Sequence, residues 1–307
     1  MDTSPFHVDE LAAQRNAAVE GKGAAIRSQM PEQHRDFFQS LRYLLLSTVG
    51  ADGWPGATML SGVPGFVLAP DERRLCLSYP EASGDPVIEG FSLGQEIGLL
   101  GIDLANRRRN RANGRICVLE KNGVELAVRQ SFGNCPKYIQ RREARPLARE
   151  PAAIEWLSGL DQPARALIAA ADTLFVASRS RSGIGAQGGA DMSHRGGQPG
   201  FVRLDGDELW IPDFSGNRYF NTLGNLLGEP RAALLLVDFD SGDLLQLQGV
   251  AEIDWSADAA RGFAGAERLW RFKVCRGWRR RAALPLLWTF IDQAPSTAQT
   301  GCWPTVA

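Results

Sequence analysis

Two stretches of this chain carry the same frame at a fixed distance. Gly62-Val63-Pro64-Gly65-Phe66-Val67 and Gly197-Gln198-Pro199-Gly200-Phe201-Val202 lie 135 residues apart. The spacing persists without a gap. Leu99-Leu100 falls on Leu234-Leu235, Asp103 on Asp238 and Gly114 on Gly249. A chance recurrence of Pro-Gly-Phe-Val is the plainer alternative, but it does not account for a register held to the end of the following hairpin. The repeat constrains the fold because each copy has to be one similar unit. Within the copies the texture is short apolar or alternating runs: YLLLSTV, ATMLSGVPGFVL, RRLCLSY, EIGLLGIDL and GRICVLE in the first, TLFVASRS, GFVRL, ELWIPDF, RAALLLVDF and LLQLQGVAEIDW in the second. Turn-forming segments such as ADGWPG and APDERR separate them, as in an antiparallel meander. The expected fold is mainly β with flanking helices, an α+β chain of two tandem small barrels packed as an intrachain pseudo-dimer.

The length agrees, since 307 residues exceed what one core usually serves. The expected boundaries are a helical lead-in over 1–36, a first barrel over 37–135, a helical connection over 136–172 and a second barrel with a C-terminal extension over 173–307. PEQHRDFFQSLR, residues 31–42, reads as a short helix with Pro31 near its first turn. With 34 Lys+Arg against 35 Asp+Glu the formal net charge is −1, so the chain has no global field for a polyanion and nucleic acid is not an expected partner. No apolar run reaches the roughly 18–20 residues of a membrane helix, and the N-terminus lacks the pattern of a secretory signal. Five widely spaced cysteines form no C-x-x-C pair, and three histidines are few for a metal centre. No metal is expected, and reduced thiols suggest a cytoplasmic location.

The copies differ where chemistry would be expected. Ser193-His194-Arg195-Gly196-Gly197 precedes the second Pro-Gly-Phe-Val, whereas the first copy has Met59-Leu60-Ser61-Gly62 and no cation there. After the next strand the second copy reads Pro212-Asp213-Phe214-Ser215-Gly216-Asn217-Arg218-Tyr219-Phe220-Asn221-Thr222-Leu223-Gly224-Asn225. The first reads Leu77 to Asp85, with two carboxylates, Glu81 and Asp85, and no arginine. A phosphate monoester calls for a guanidinium with paired donors, for hydroxyl and amide groups, and for backbone N–H groups at a turn or helix start. The second copy offers these in Arg195, Ser215, Asn217, Arg218, Asn221, Thr222 and Asn225. The plainer reading of Ser-Gly-Asn-Arg alone is a solvated loop.

These same blocks, with Pro230-Arg231-Ala232-Ala233-Leu234-Leu235-Leu236-Val237-Asp238-Phe239, resemble the pyridoxamine 5'-phosphate oxidase-related flavoproteins, whose fold is the FMN-binding split β-barrel. Met30-Pro31-Glu32-Gln33-His34-Arg35 and Ser131-Phe132-Gly133-Asn134-Cys135-Pro136-Lys137-Tyr138 are similar to the long, duplicated subgroup. The resemblance spans about residues 25–290. It implies FMN held mainly by the second copy at its interface with another barrel. Ser193 and Arg195 match the family's Ser-x-Arg-Gly block, and Asn217, Arg218, Thr222 and Asn225 its later phosphate-side block. His194 replaces a common proline; it either stacks near the cofactor or is an ordinary buried strand residue. The substrate clamp of the true oxidase is not recognisable, so vitamin B6 activity is not implied. The function implied is an FMN-dependent oxidoreductase with a small-molecule substrate. NAD(P)H is a possible donor and a homodimer a possible assembly. No catalytic acid or base is named. The alternative is a non-catalytic flavin or haem/tetrapyrrole-binding carrier or sensor.

Two further stretches stay open at this level. Leu104 to Arg115 is strongly basic and reads either as a solvated hairpin tip or as arginines crossing the barrel interface to an anion. Arg276, Arg279, Arg280 and Arg281 with Trp278 and Trp288 read as a surface helix or as a substrate contact. Cys135 beside Pro136 reads as an inert thiol before a redox one.

Overall fold

The structure is a computed structural model that describes residues 4–19, 25–80, 84–256 and 258–304. Glu81, one of the two first-copy carboxylates named above, lies outside the described residues. The first copy folds as β1 (Tyr43–Val49), β2 (Pro55–Ser61), β3 (Val67–Asp71), β4 (Arg74–Ser78), β5 (Glu96–Asp103), β6 (Arg108–Glu120) and β7 (Gly123–Gly133). These make one antiparallel sheet in the order β2-β1-β5-β6-β7-β4-β3. Next come β8 (Arg141–Pro146) and β9 (Glu155–Leu157). The second copy is β10 (Thr173–Arg179), β11 (Ala190–Gly196), β12 (Arg203–Asp205), β13 (Glu208–Phe214), β14 (Arg231–Val237), β15 (Leu244–Asp254) and β16 (Ala266–Arg280), followed by β17 (Leu286–Asp292). Its order, β11-β10-β14-β15-β16-β13-β12, is that of the first sheet strand for strand. The helices are α1 (Val8–Asn16), α2 (Glu32–Ser40), α3 (Pro86–Glu89), α4 (Gln162–Ala170) and α5 (Asn221–Gly228). Among the described residues no helix is long and apolar enough to cross a membrane.

The duplication extends to fine detail. The register slips at Asn113/Gly114 in the first sheet and at Gln248/Gly249 in the second. A Cβ on Gly114 would lie 2.1 Å from the Ala127 carbonyl oxygen, and one on Gly249 would lie 2.2 Å from that of Lys273. Only glycine lets the bulged strands approach so closely. The copies part at their first hairpin, whose loop is 50–54 in one and 180–189 in the other. That insertion is why β1 and β10 lie outside the 135-residue spacing.

The continuous apolar strands follow from burial on both faces. Leu44 and Leu46 point into the core of the first barrel, while Tyr43 and Leu45 point into a third core between the barrels. On β10, Leu174 and Val176 face the second barrel, and Phe175 and Ala177 the shared core. There β2 packs on β14 and β5 on β11, a reciprocal pattern that makes the contact a pseudo-two-fold one. Gly98 on β5 is what brings the barrels so close, for a Cβ there would lie 2.6 Å from the Ala190 carbonyl oxygen.

Two expected helical stretches are otherwise. Residues 136–172 carry β8, β9 and only one helix, α4. β8 pairs with β17 and β9 with the end of β16, because these segments can bury side chains only by joining strands supplied by the C-terminal part. The basic-aromatic stretch read as a surface helix is strand β16 followed by β17. Arg279 is buried and binds Asp161 at 2.6 Å and Glu155 at 2.9 Å. Trp288 packs edge-on against Tyr43 and Phe239 in the shared core. Arg279 thus ties the connection to the second barrel, while Arg276 binds Asp52 and Arg280 binds Asp85 of the first copy.

Candidate functional site

Alternation along β11 sorts its residues. Met192 belongs to the shared core, and His194 lies beside it with its ring edge-on to Phe175. Asp191, Ser193 and Arg195 turn the other way, toward α5 and toward β6 of the first copy. His194 is therefore the buried strand residue of the two readings. Burial, reinforced by the Arg109, Arg195 and Arg142 charges, pushes its imidazole well below the ordinary histidine value, so it stays neutral near pH 7.

The cleft is built across the two copies. Arg111 of β6 is buried, and its guanidinium donates to Asp191 at 2.8 Å, to Ser193 Oγ at 2.5 Å and to Asn221 Oδ1 at 3.3 Å. Ser193 and Thr222 hydroxyls meet at 2.6 Å. For Arg111 the solvated-tip reading is thus replaced by the interface-crossing one. Arg111 sits in the stretch of β6 that packs against β11, so its side chain is buried between the barrels. Above this floor Arg195 lies 3.6 Å from Asp213, which also holds Arg268, and Arg268 binds Glu267 at 3.1 Å. Arg218, more exposed, stands 3.9 Å from Glu267. Burial lowers the Arg195 guanidinium, with Asp213 opposing and Arg111 adding to the shift. The four arginines outnumber the three carboxylates, Asp191, Asp213 and Glu267.

The loop that closes the cleft is conformationally unusual. Arg218 and Phe220 both take left-handed backbone angles, with φ of 62° and 60°, uncommon for residues other than glycine. Such outliers persist where the surroundings over-determine them. Phe220 is the N-cap of α5 and its side chain caps nothing, so the first-turn amides keep their demand for an acceptor. Asn221, Thr222 and Leu223 line the same cleft as Gly216, Asn217 and Arg218. The enclosed space is about 70 Å³. That is well under the roughly 300–1,000 Å³ that encloses a whole small-molecule ligand, but it suits one compact anionic group. Buried Nε atoms of Arg111 and Arg195 lack a partner, a residual donor capacity pointing the same way.

Of the residues singled out from sequence, Ser193, Arg195, Asn217, Arg218, Asn221 and Thr222 come together here. Three do not. His194 faces the shared core. Ser215 turns its carbonyl to the Tyr138 hydroxyl at 3.1 Å and is not part of the lining. Asn225, one turn along α5 from Asn221, lies against α1 and β10, bonded to His7 at 3.0 Å and Ser178 at 3.1 Å. Asp191, Asp213, Glu267 and Arg268 were not singled out. Arg111 was one of several arginines in the basic stretch, and its register with Gln246 was the signal available.

The first copy resolves the equivalent place differently. Thr58 stands where Ser193 does and hydrogen-bonds Asp85. Asp85 is wholly buried, caps α3 through the Val87 amide at 3.0 Å and is bound by Arg280 at 2.6 Å. There the cap is supplied internally and the facing cation is already neutralised.

Helix α1 covers the far side of α5. Glu10 accepts from Asn221 at 2.5 Å and from the His7 amide at 2.9 Å, and Gly224 lets the helices touch. Burial raises the Glu10 carboxyl to about 7, whereas burial lowers His7. The folded state thus keeps a proton on Glu10 that the unfolded chain releases near pH 4.5. This contribution to stability falls as pH rises from about 4.5 to about 7, by a total on the order of 3 kcal/mol. His7 acts in the opposite sense below its ordinary value of 6.5. The net loss is therefore clearest between about pH 6.5 and 7.5. The thermal midpoint should drop across that interval in the natural protein, and the drop should vanish in Glu10→Gln. An equal drop in both would remove Glu10 as its source.

No protein-family model matches the chain, and no curated protein matches it. Similar solved structures exist for part of it. HupZ of Group A Streptococcus is 17% identical, covering 38% of this chain and 90% of its own, with a TM-score of 0.30. A putative pyridoxamine 5'-phosphate oxidase from Lactobacillus delbrueckii is 18% identical, covering 34% and 95%, with a TM-score of 0.27. HutZ, the haem storage protein of Vibrio cholerae, is 13% identical, covering 40% and 95%, with a TM-score of 0.29.

Proposed function

We propose that the chain binds FMN by its phosphate in the cleft between β11, α5 and β6, and serves as an FMN-dependent oxidoreductase acting on a small molecule. The observation that supports this is the donor set: four arginines from both copies converge on an uncapped helix start, with two buried guanidinium nitrogens still unpartnered. Arg195, Arg218 and Arg268 would hold the phosphate oxygens, with the Thr222 hydroxyl and the Asn217 and Asn221 amides beside them. Arg111 would supply positive charge from the other barrel while positioning Ser193 and Asn221. Bound flavin would supply the redox chemistry, and the polypeptide would bind and orient it. Of the chain's own residues none in this cleft is needed as a proton donor.

The alternative of a carrier or sensor on the same fold takes two forms. For haem the usual axial ligand is a histidine. His7, His34 and His194 are each placed elsewhere, in contact with Asn225, Ser131 and Phe175 respectively. A flavin carrier differs from the enzyme only in reactivity. The test is to denature the purified full-length protein and identify the released chromophore and its amount per chain, then to add NAD(P)H to the native protein. FMN near one per chain, bleached by the nicotinamide and restored by air, supports the enzyme. FMN that no nicotinamide reduces supports the carrier, and a chromophore other than flavin rejects the proposal.

A further inference from the structure

Away from that cleft, a groove of about 670 Å³ runs between the copies, and its lining contains five arginines: Arg73, Arg115, Arg129, Arg179 and Arg181. The only carboxylate among the described lining residues is Glu96. In a chain whose charges almost cancel, this is a local concentration of one sign, and a groove focuses such a field. Three of the cations are close to an acid, Arg115 binding Glu96 at 3.2 Å, Arg181 binding Asp9 at 2.9 Å and Arg73 lying 4.0 Å from Glu72, and Arg179 feels Glu229 at longer range, a carboxylate already paired with Arg231 at 2.8 Å. Arg129 and Arg179 form no ion pair among the described residues; Arg179 donates only to the Ser180 carbonyl.

The duplication shows that this charge is particular to one place in the fold. The turn residue Arg73 corresponds to Asp207, for each carbonyl accepts from the equivalent strand, from Val128 and Val274 respectively; a bulge between Leu68 and Asp71, which β12 lacks, breaks the 135-residue spacing by one residue here. Arg115 corresponds to Val250 by the pairing of β5 with β6 and of β14 with β15. Arg129 and Cys275 are the extra residues at the two matching bulges. Arg179 and Val49 end the equivalent first strands. None of the four counterparts is a cation. The residues lengthening the second copy's first hairpin complete the groove, bringing Ser180, Ser182 and Gly183 to its wall. The wall has hydroxyl donors and a glycine with φ of 85°, but no aromatic side chain on which a base would stack.

We propose that this groove is a second anion site, separate from the flavin cleft, that binds a small ligand carrying two or more linked phosphates. Guanidinium forks suit phosphate oxygens. Several arginines spread along a groove favour a chain of phosphates over a single one. The proposal does not depend on the flavin reading.

The test is calorimetric titration of the full chain with sodium triphosphate and with orthophosphate at low ionic strength. Triphosphate should bind about tenfold or more tightly than orthophosphate, and the difference should shrink as salt is added. The double variant R129A/R179A leaves no carboxylate without its partner. It should lose about tenfold or more in triphosphate affinity while retaining bound chromophore as the natural protein does. R129K/R179K, which keeps the charge and the fold, should lie between the two. Equal affinity for the two phosphates, or an undiminished affinity in R129A/R179A, would overturn the assignment. So would a single-stranded oligonucleotide that binds in preference to triphosphate through the same arginines.

Discussion

FMN should fail to co-purify with a protein in which Arg195 and Arg218 are both alanine. Each charge-assisted contact to phosphate contributes about 1.5–3 kcal/mol, so two lost contacts weaken binding by roughly a hundredfold to ten-thousandfold. Arg218 is more than half exposed and falls at the low end of that range. Arg195 is largely enclosed and falls at the high end. The variant should fold, because Asp213 keeps Arg268 when Arg195 is removed, and Glu267 keeps Arg268 when Arg218 is removed. Calorimetric titration of the apoprotein with FMN measures the loss directly. Full occupancy in the double variant would displace the phosphate from this cleft.

Asp191→Ala should destabilise the fold by about 3–5 kcal/mol, the usual consequence of leaving a buried charge without its partner. The Asp191 carboxylate accepts from Arg111 and Asn113, and Ser193 lies 3.3 Å away. It is thus what makes an arginine from one barrel tolerable inside the other. Urea unfolding reads the change. Orthophosphate in the buffer should restore part of the loss, since an anion entering the cleft replaces some of the missing negative charge. A variant as stable as the natural protein would show that Arg111 does not depend on this partner.

The second prediction turns on Arg111, and that residue marks the boundary of what was legible. The duplication, the mainly β texture and the imbalance between the copies were readable because local patterns carry them. Strand alternation, turn residues and a fixed period are properties of neighbouring residues. The assembly of the cleft was not, since Arg111, Asp191 and Arg268 come from three strands far apart in sequence. Their proximity depends on which barrel face packs on which. The same holds for Asn225, which shares α5 with Thr222 yet serves the docking of α1, and for β16, whose Arg279 finds acids on a connection read as helical while Arg276 and Arg280 find acids in the first copy.

What the sequence determined by itself was two copies of one β unit, with cations added to only one of the two matching turns. Periodicity and composition survive in any conformation of the chain. What only the tertiary structure decided was that a strand of the copy without cations at its matching turns would contribute the deepest arginine of the cleft. It also decided that the equivalent place in the first copy would be closed by Asp85 and Arg280. Such pairings follow from the pseudo-two-fold packing of the barrels, which buries specific side chains against partners that no local pattern encodes.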